Sequence, residues 1–173
     1  MQRKKKILIA LAVIIAILVL VGWYLFEHGV PAFVDAPVAV DGKTESFPVY
    51  KPGFIMDPNP VFKPSTDGWI YVKANPQSFI IMIPENYTHV VVEAKNVTGQ
   101  IDVYRFCGWD EDPQAYGGTL DDRFTRIEFN GCRTVGQVHF AARLHGKRYA
   151  VTPPGSLRID VFGEGWIKIE ASP

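Results

Sequence analysis

The sequence predicts an all-β fold, a β-sandwich of jelly-roll or immunoglobulin-like type, preceded by one transmembrane helix and an extended proline-rich arm. Three observations lead to this prediction. An uncharged apolar run of 20 residues occupies positions 7–26, and seven of the 13 prolines fall within residues 29–68. After residue 68 the chain becomes a series of short segments rich in Val, Ile, Tyr and Phe, without a helical period.

The apolar run is long enough to cross a bilayer, because 20 residues of α-helix cover roughly 30 Å. Residues 3–6 are Arg-Lys-Lys-Lys. This basic flank predicts a cytoplasmic N-terminus and places the remainder outside the cytoplasm, at a cell surface, in a periplasm or on a virion. The predicted domains are a cytoplasmic tail (1–6), a transmembrane signal anchor (7–26), the arm (27–68) and an extracytoplasmic β-sandwich (69–173).

A cleaved secretory signal is the alternative to a retained anchor. Signal peptides usually have apolar regions of about 7–15 residues, which is shorter than this run. The weak candidate cleavage site, Val30-Pro31-Ala32, contains a proline. The sequence therefore favours a retained anchor in contact with membrane lipid.

The charge balance argues against a nucleic-acid partner. The chain has 18 basic and 18 acidic residues, and four of the basic ones lie in the N-terminal tail. The outer part therefore has 14 basic against 18 acidic residues, a net charge of −4. Nucleic-acid binding requires a concentrated basic face.

The proline-rich stretch 27–68 is predicted to be ordered but neither helical nor a central strand, because proline fixes φ and removes a backbone donor. It differs from a flexible linker in its large apolar side chains, and we expect it to lie along its own domain or a partner. Residues 38–40 and 47–50 are the segments expected to pair. Its large apolar residues include Phe33, Val38, Val40, Phe47, Val49, Tyr50, Phe54, Ile55 and Phe62.

Nine strands are predicted after the arm, separated by turn signals such as Asn75-Pro76 and Val97-Thr98-Gly99. Gly163-Glu164-Gly165 is interpreted as a hairpin connection between the last two. Alternation is clearest at 156–162, where Leu157, Ile159 and Val161 are predicted to face inward and the residues Ser156, Arg158 and Asp160 to face outward. The predicted strands are 69–74, 78–83, 89–95, 100–106, 123–129, 135–143, 148–151, 156–162 and 166–170.

Two cysteines and two sequons fit an extracytoplasmic domain. An even pair in an oxidising compartment predicts a Cys107–Cys132 disulfide, with two free buried thiols as the alternative. Asn86-Tyr87-Thr88 and Asn96-Val97-Thr98 are acceptor sequons, so Asn86 and Asn96 are candidate glycosylation sites.

No catalytic or redox motif is found, so we expect a protein that is not an enzyme and has no cofactor. The histidines and cysteines lack the clustering of a copper site. There is no Gly-x-Ser-x-Gly elbow and no glycine-rich phosphate loop before a helix.

The most distinctive stretch is an acidic, glycine-rich loop predicted at residues 107–122. Its carboxylates could hold Ca²⁺, although the spacing is not that of an EF-hand. Its aromatic rings could contact a glycan or a partner protein. A solvated acidic loop with one aromatic ring turned inward is the third interpretation. The candidate binding residues are Trp109, Asp110, Asp112, Tyr116, Asp121 and Asp122.

Taken together, these features predict a non-enzymatic, membrane-anchored surface glycoprotein that docks in a larger envelope assembly. It would be an accessory or structural subunit of a membrane complex, a surface filament or a virion, with other envelope proteins as partners. One alternative is a surface module that binds glycan or Ca²⁺ through the 107–122 loop. Another is a membrane-bound enzyme with an unrecognised site.

Overall fold

The computed structural model consists mostly of β-sheet with one apolar N-terminal helix. It describes residues 2–28, 30–51, 57–107, 114–131, 133–135, 140–143 and 155–173. Side chains are described for 6–23, 34–51, 57–106, 117–131 and 155–173. The elements are α1 (Gln2–His28), β1 (Val30–Val40), β2 (Lys43–Lys51), β3 (Val61–Pro64), β4 (Ile70–Ile81), β5 (His89–Cys107), β6 (Gln114–Leu120), β7 (Arg126–Asn130), β8 (Arg133–Val135), β9 (Phe140–Arg143) and β10 (Leu157–Ser172).

Helix α1 contains a stretch long and apolar enough to span a membrane, Lys6–Trp23, with a mean hydropathy of 2.8. None of this stretch is buried against the sheet. The large apolar side chains between residues 7 and 23 are 49–74% exposed. Its length, composition and position are those of a membrane anchor or of a signal sequence.

The first half of the proline-rich stretch forms a β-hairpin that belongs to the sheet. β1 and β2 are antiparallel and are joined by Asp41 and Gly42, whose φ values of 48° and 78° are those of a type I′ turn. The segments 38–40 and 47–50, expected to pair, lie in these strands, and Val38 and Val49 are buried. β3 also belongs to the sheet, where it pairs with β4.

Pro31 and Pro37 are tolerated in β1 because the described pairing along its second edge is short. Among the described residues, the second edge of β1 pairs with β10 through Ala39 and Val40. Proline is compatible with a strand edge that needs no ladder donor. Pro48 in β2 still contributes its carbonyl, which accepts a hydrogen bond from the Met82 N–H at 3.0 Å.

The three turn signals at 75–76, 97–99 and 163–165 do not reverse the chain. They lie beside one another within the continuous strands β4, β5 and β10. The predicted hairpin at 163–165 is wrong, because β10 runs unbroken from Leu157 to Ser172. Gly163 pairs with Ala74 of β4, which adjoins the turn signal Asn75-Pro76, and with Gly99 of β5, the last residue of the signal at 97–99. The pairing register of β10 shifts beside this point with both neighbours, so the strands carry bulges here and bend together.

Glycine is required at this corner because the backbones approach closely. A Cβ on Gly99 would lie 2.2 Å from the Phe162 carbonyl oxygen, and one on Gly163 would lie 2.0 Å from that of Thr98. Both glycines have positive φ values, 86° and 144°. The bend also brings Arg105, near the end of β5, within reach of Tyr87, two residues before the start of β5: the guanidinium donates to the Tyr87 carbonyl.

The strand pairings close a ring around the core. β10 pairs with β4 and β1 along one edge, β4 pairs with β2, and β2 pairs with β1. The other edge of β10 pairs with β5, which continues the sheet to β6 and β9 and separately to β7 and β8. Core side chains come from both halves of the bent strands, including Ile70, Val72, Phe79, Ile81, Val90, Val92, Ile101, Val103, Leu157, Ile159, Val161, Ile167 and Ile169.

Candidate functional site

The predicted 107–122 loop is partly a strand. β6 occupies Gln114–Leu120 and pairs with β5 on one side and β9 on the other. The loop prediction was wrong for these residues because Gly117 and Gly118 resemble a turn, whereas their backbones are part of the ladder. Trp109, Asp110 and Asp112 lie outside the described residues.

The remaining candidates of this segment are placed individually. Tyr116 lies in β6 opposite Arg105, and its side chain is outside the description. Asp121 shapes the turn after β6, because its Oδ1 accepts hydrogen bonds from the N–H groups of Arg123 and Phe124, both at 2.8 Å. Asp122 is exposed. In the described part of the chain, no group of three or more His, Cys, Asp and Glu side chains comes together as a Ca²⁺ or transition-metal site would require.

The cysteine and sequon predictions remain predictions. Cys107 is the last residue of β5, with its backbone alone described, and Cys132 lies outside the described residues. Asn86 is exposed in the turn before β5. Asn96 is exposed beside the bulge of β5, with a φ of 53°.

A row of four side chains crosses the outer face of the sheet. Lys63 of β3 pairs with Tyr71 of β4, Tyr71 pairs with Trp166 of β10, and Trp166 pairs with Lys95 of β5. The core residues next to them in the four strands are Phe62, Ile70, Val72, Ala94 and Ile167, so the four side chains lie on the opposite face. We call these four residues the aromatic row.

The two rings of the aromatic row pack against each other and are half-buried. The centroids of Tyr71 and Trp166 are 5.3 Å apart, with planes tilted by 49°. The Lys95 ammonium lies 3.8 Å from the ring centroid of Trp69, just before β4, and 6.0 Å from that of Trp166. This is cation–π geometry, which positions the ammonium beside the rings. Lys63 and Lys95 are both exposed.

An ion pair between Lys73 and Glu164, which has no net charge, lies beside the aromatic row. The Tyr71 hydroxyl donates to Glu164 Oε2 at 2.8 Å, and Lys73 Nζ lies 3.1 Å from the same oxygen. The hydrogen bond from Tyr71, followed by Lys73, lowers the pKa of the Glu164 carboxyl. The same hydrogen bond raises the pKa of Tyr71. Glu164 is therefore held ionised, and its charge is balanced by Lys73.

Three other carboxylates on this outer face lie close to a basic side chain on their own strand or the next. The ion pairs are Glu93–Arg126 (3.6 Å), Glu128–Arg126 (3.0 Å) and Glu170–Lys168 (3.1 Å), and the first two share one arginine. Among the described residues, by contrast, neither Lys63 nor Lys95 has a carboxylate within ion-pair distance. The two ends of the aromatic row thus carry lysines that make no ion pair with a described residue.

A second polar cluster occupies the same side of the sheet beyond the corner. Asp102 and Asp160 face each other across β5 and β10 and are only 9% and 8% exposed. Arg158 forms a two-pronged ion pair with Asp160, at 2.7 and 2.8 Å. The Thr119 hydroxyl donates to Asp102 at 2.6 Å, as does the Gln100 amide at 3.3 Å. These carboxylates already have partners within the chain, as buried polar groups require.

Comparisons with known proteins identify no relative. No family matches the chain, and no curated protein does. A solved structure titled "Structure of PfGH50B" aligns with 73% of this chain and 22% of its own, at 7% sequence identity and a TM-score of 0.40. A similarity of this size supports no conclusion about function.

Proposed function

We propose that the chain is a non-enzymatic, single-pass membrane-anchored surface protein whose β-domain docks in a larger envelope assembly. The supporting observation is the direct junction of an exposed apolar helix with the sheet. Gly29 alone separates His28, the last residue of α1, from Val30, the first of β1. An anchor joined in this way holds the sheet next to the membrane surface, where accessory and structural subunits of a complex, filament or virion act.

Strand pairing supports retention of the anchor. Cleavage at Val30-Pro31-Ala32 would cut within β1, where Val30 pairs with Lys51 and Pro31 with Tyr50. A mature chain beginning at Phe33 would lose those pairs. The basic tail at 3–6 supports a cytoplasmic N-terminus and an extracytoplasmic β-domain.

The closed pairing ring supports a β-sandwich, since strands that bend at bulges pass from one packed layer to another. The docking face we propose is the aromatic row, because Trp and Tyr are favoured anchors at protein interfaces. The alternative of glycan or Ca²⁺ binding through residues 107–122 gains no support from the described residues of that segment.

Purification of the full chain from its native membrane in mild detergent tests the proposal. We expect a stoichiometric complex and an intact mass that includes α1. The variant Ile14→Arg/Leu18→Arg should lose membrane retention, because each arginine costs about 2.5–3.5 kcal/mol at the centre of a membrane helix. A secreted chain beginning at Phe33, or a solitary anchored chain with no co-purifying protein, would contradict the proposal.

A further inference from the structure

The two lysines at the ends of the aromatic row, which make no ion pair with a described residue, are separated by a defined distance. Lys63 on β3 and Lys95 on β5 are three inter-strand steps apart, because β4 and β10 lie between them. At about 4.8 Å per step, their Cα atoms are about 14 Å apart. An extended peptide rises about 3.3 Å per residue, so four residues cover nearly the same distance.

We propose that the aromatic row binds an extended acidic segment of a partner protein, with two carboxylates about four residues apart. Each carboxylate pairs with one of the terminal lysines, and the residues between lie on the rings of Tyr71 and Trp166. This inference rests on the proposed function and specifies the chemistry of the partner. The intervening residues suit proline, since polyproline segments pack on aromatic surfaces and rise about 3.1 Å per residue.

The charges around the row favour this partner. Glu164 is neutralised by Lys73, so it does not compete for the terminal lysines. Asp67, in the turn before β4, is influenced by Lys95, but its pKa is lowered mainly by a hydrogen bond from the Ser65 hydroxyl. Asp67 is engaged within its own turn, where it accepts hydrogen bonds from the Ser65 hydroxyl and the Trp69 N–H.

Two other occupants fit the row less well. A second copy of the chain in a two-fold dimer would bring the same patch, with the same two lysines, to the interface, and so adds basic charge there. Nucleic acid requires a concentrated basic face, whereas the described basic residues of this face are interspersed with carboxylates. An acidic polypeptide supplies both carboxylates that pair with the lysines and side chains that pack on the rings.

The test uses the full chain in detergent and two labelled peptides, acetyl-Glu-Pro-Pro-Pro-Glu-amide and its matched neutral form with Gln in place of Glu. Fluorescence anisotropy measures binding. Exposed ion pairs contribute up to about 1 kcal/mol each, which is about fivefold in affinity. We therefore expect Lys63→Gln/Lys95→Gln to weaken binding of the acidic peptide by roughly tenfold. Lys43→Gln, an exposed lysine of β2, is the control and should change nothing.

Equal binding of the acidic and neutral peptides, or no binding of either, would overturn the inference. So would lysine-dependent binding of a trigalacturonate in the absence of peptide binding, because it would assign the row to an acidic glycan. The same double variant in the native purification separates the two proposals. Loss of the co-purifying protein supports both, whereas a complex that persists refutes the acidic-segment inference alone. Absence of any complex with the unmodified chain refutes the proposed function instead.

Discussion

Substitution of Gly99 by alanine tests the corner at which β4, β5 and β10 bend together. The added Cβ would lie 2.2 Å from the Phe162 carbonyl oxygen, whereas ordinary van der Waals contacts begin at 3.4 Å. The two backbones must therefore separate by about 1 Å at a point where both are fixed by neighbouring strands. Gly68 provides a matched control, because its φ of 82° is close to the 86° of Gly99 and nothing lies within 4 Å of its Cβ position.

The expected magnitudes follow from the two environments. An alanine in the left-handed region costs roughly 1–2 kcal/mol, offset by about 0.4–1 kcal/mol from the reduced entropy of the unfolded chain. Gly68→Ala should thus lose about 1 kcal/mol or less. Gly99→Ala adds an overpacking cost of roughly 1–3 kcal/mol and a weakened ladder hydrogen bond, for a total of about 3–4 kcal/mol.

Thermal unfolding followed by tryptophan fluorescence in mild detergent measures the difference. At about 2–4 °C per kcal/mol for a chain of this size, Gly99→Ala should lower Tm by about 10 °C and Gly68→Ala by about 3 °C or less. Equal decreases in the two variants would show that the close approach of β5 and β10 is absent and that our account of the corner is wrong.

Three further outcomes are expected. Phe79→Ala should cost about 3–5 kcal/mol of unfolding free energy in chemical denaturation, because this ring is fully buried in the core; a loss below 1 kcal/mol would refute its core position. Tyr71→Phe should raise the pKa of Glu164 towards the ordinary carboxyl range, measured by NMR titration, since the lost hydroxyl is the main cause of the depressed value. Because that folded-state pKa is depressed, the stabilising contact is present at neutral pH and is lost as the pH falls through it. Thiol labelling under denaturing, non-reducing conditions should find Cys107 and Cys132 unreactive, and two labelled thiols would contradict the predicted disulfide.

Sequence patterns predicted the class of secondary structure but not the connectivity. Alternation identified Leu157, Ile159 and Val161 as inward-facing, and all three are buried. Gly163 and Gly165 led to the prediction of a chain reversal. The sequence of one strand does not reveal whether a glycine ends that strand or forms a bulge within it. That distinction depends on Gly99 in the neighbouring strand, which is distant in sequence.

The aromatic row was missed for a related reason. Its residues come from four strands and are separated by up to about a hundred positions in the chain, so no local motif unites them. The parity of each strand shows only that Tyr71 and Trp166 point away from the core. Their adjacency depends on the register between β4 and β10, which the core side chains on the opposite face determine.

The position of β10 in the sheet has a kinetic consequence. β10 follows nine strands along the described chain, yet it pairs with β1, β4 and β5, and its contact with β1 joins residues about 130 positions apart. Until β10 is synthesised, those three strands have unpaired hydrogen-bonding edges that can associate with other chains. Because contacts so distant in sequence also form slowly, the chain passes through a prolonged, aggregation-sensitive stage until β10 inserts between the other strands.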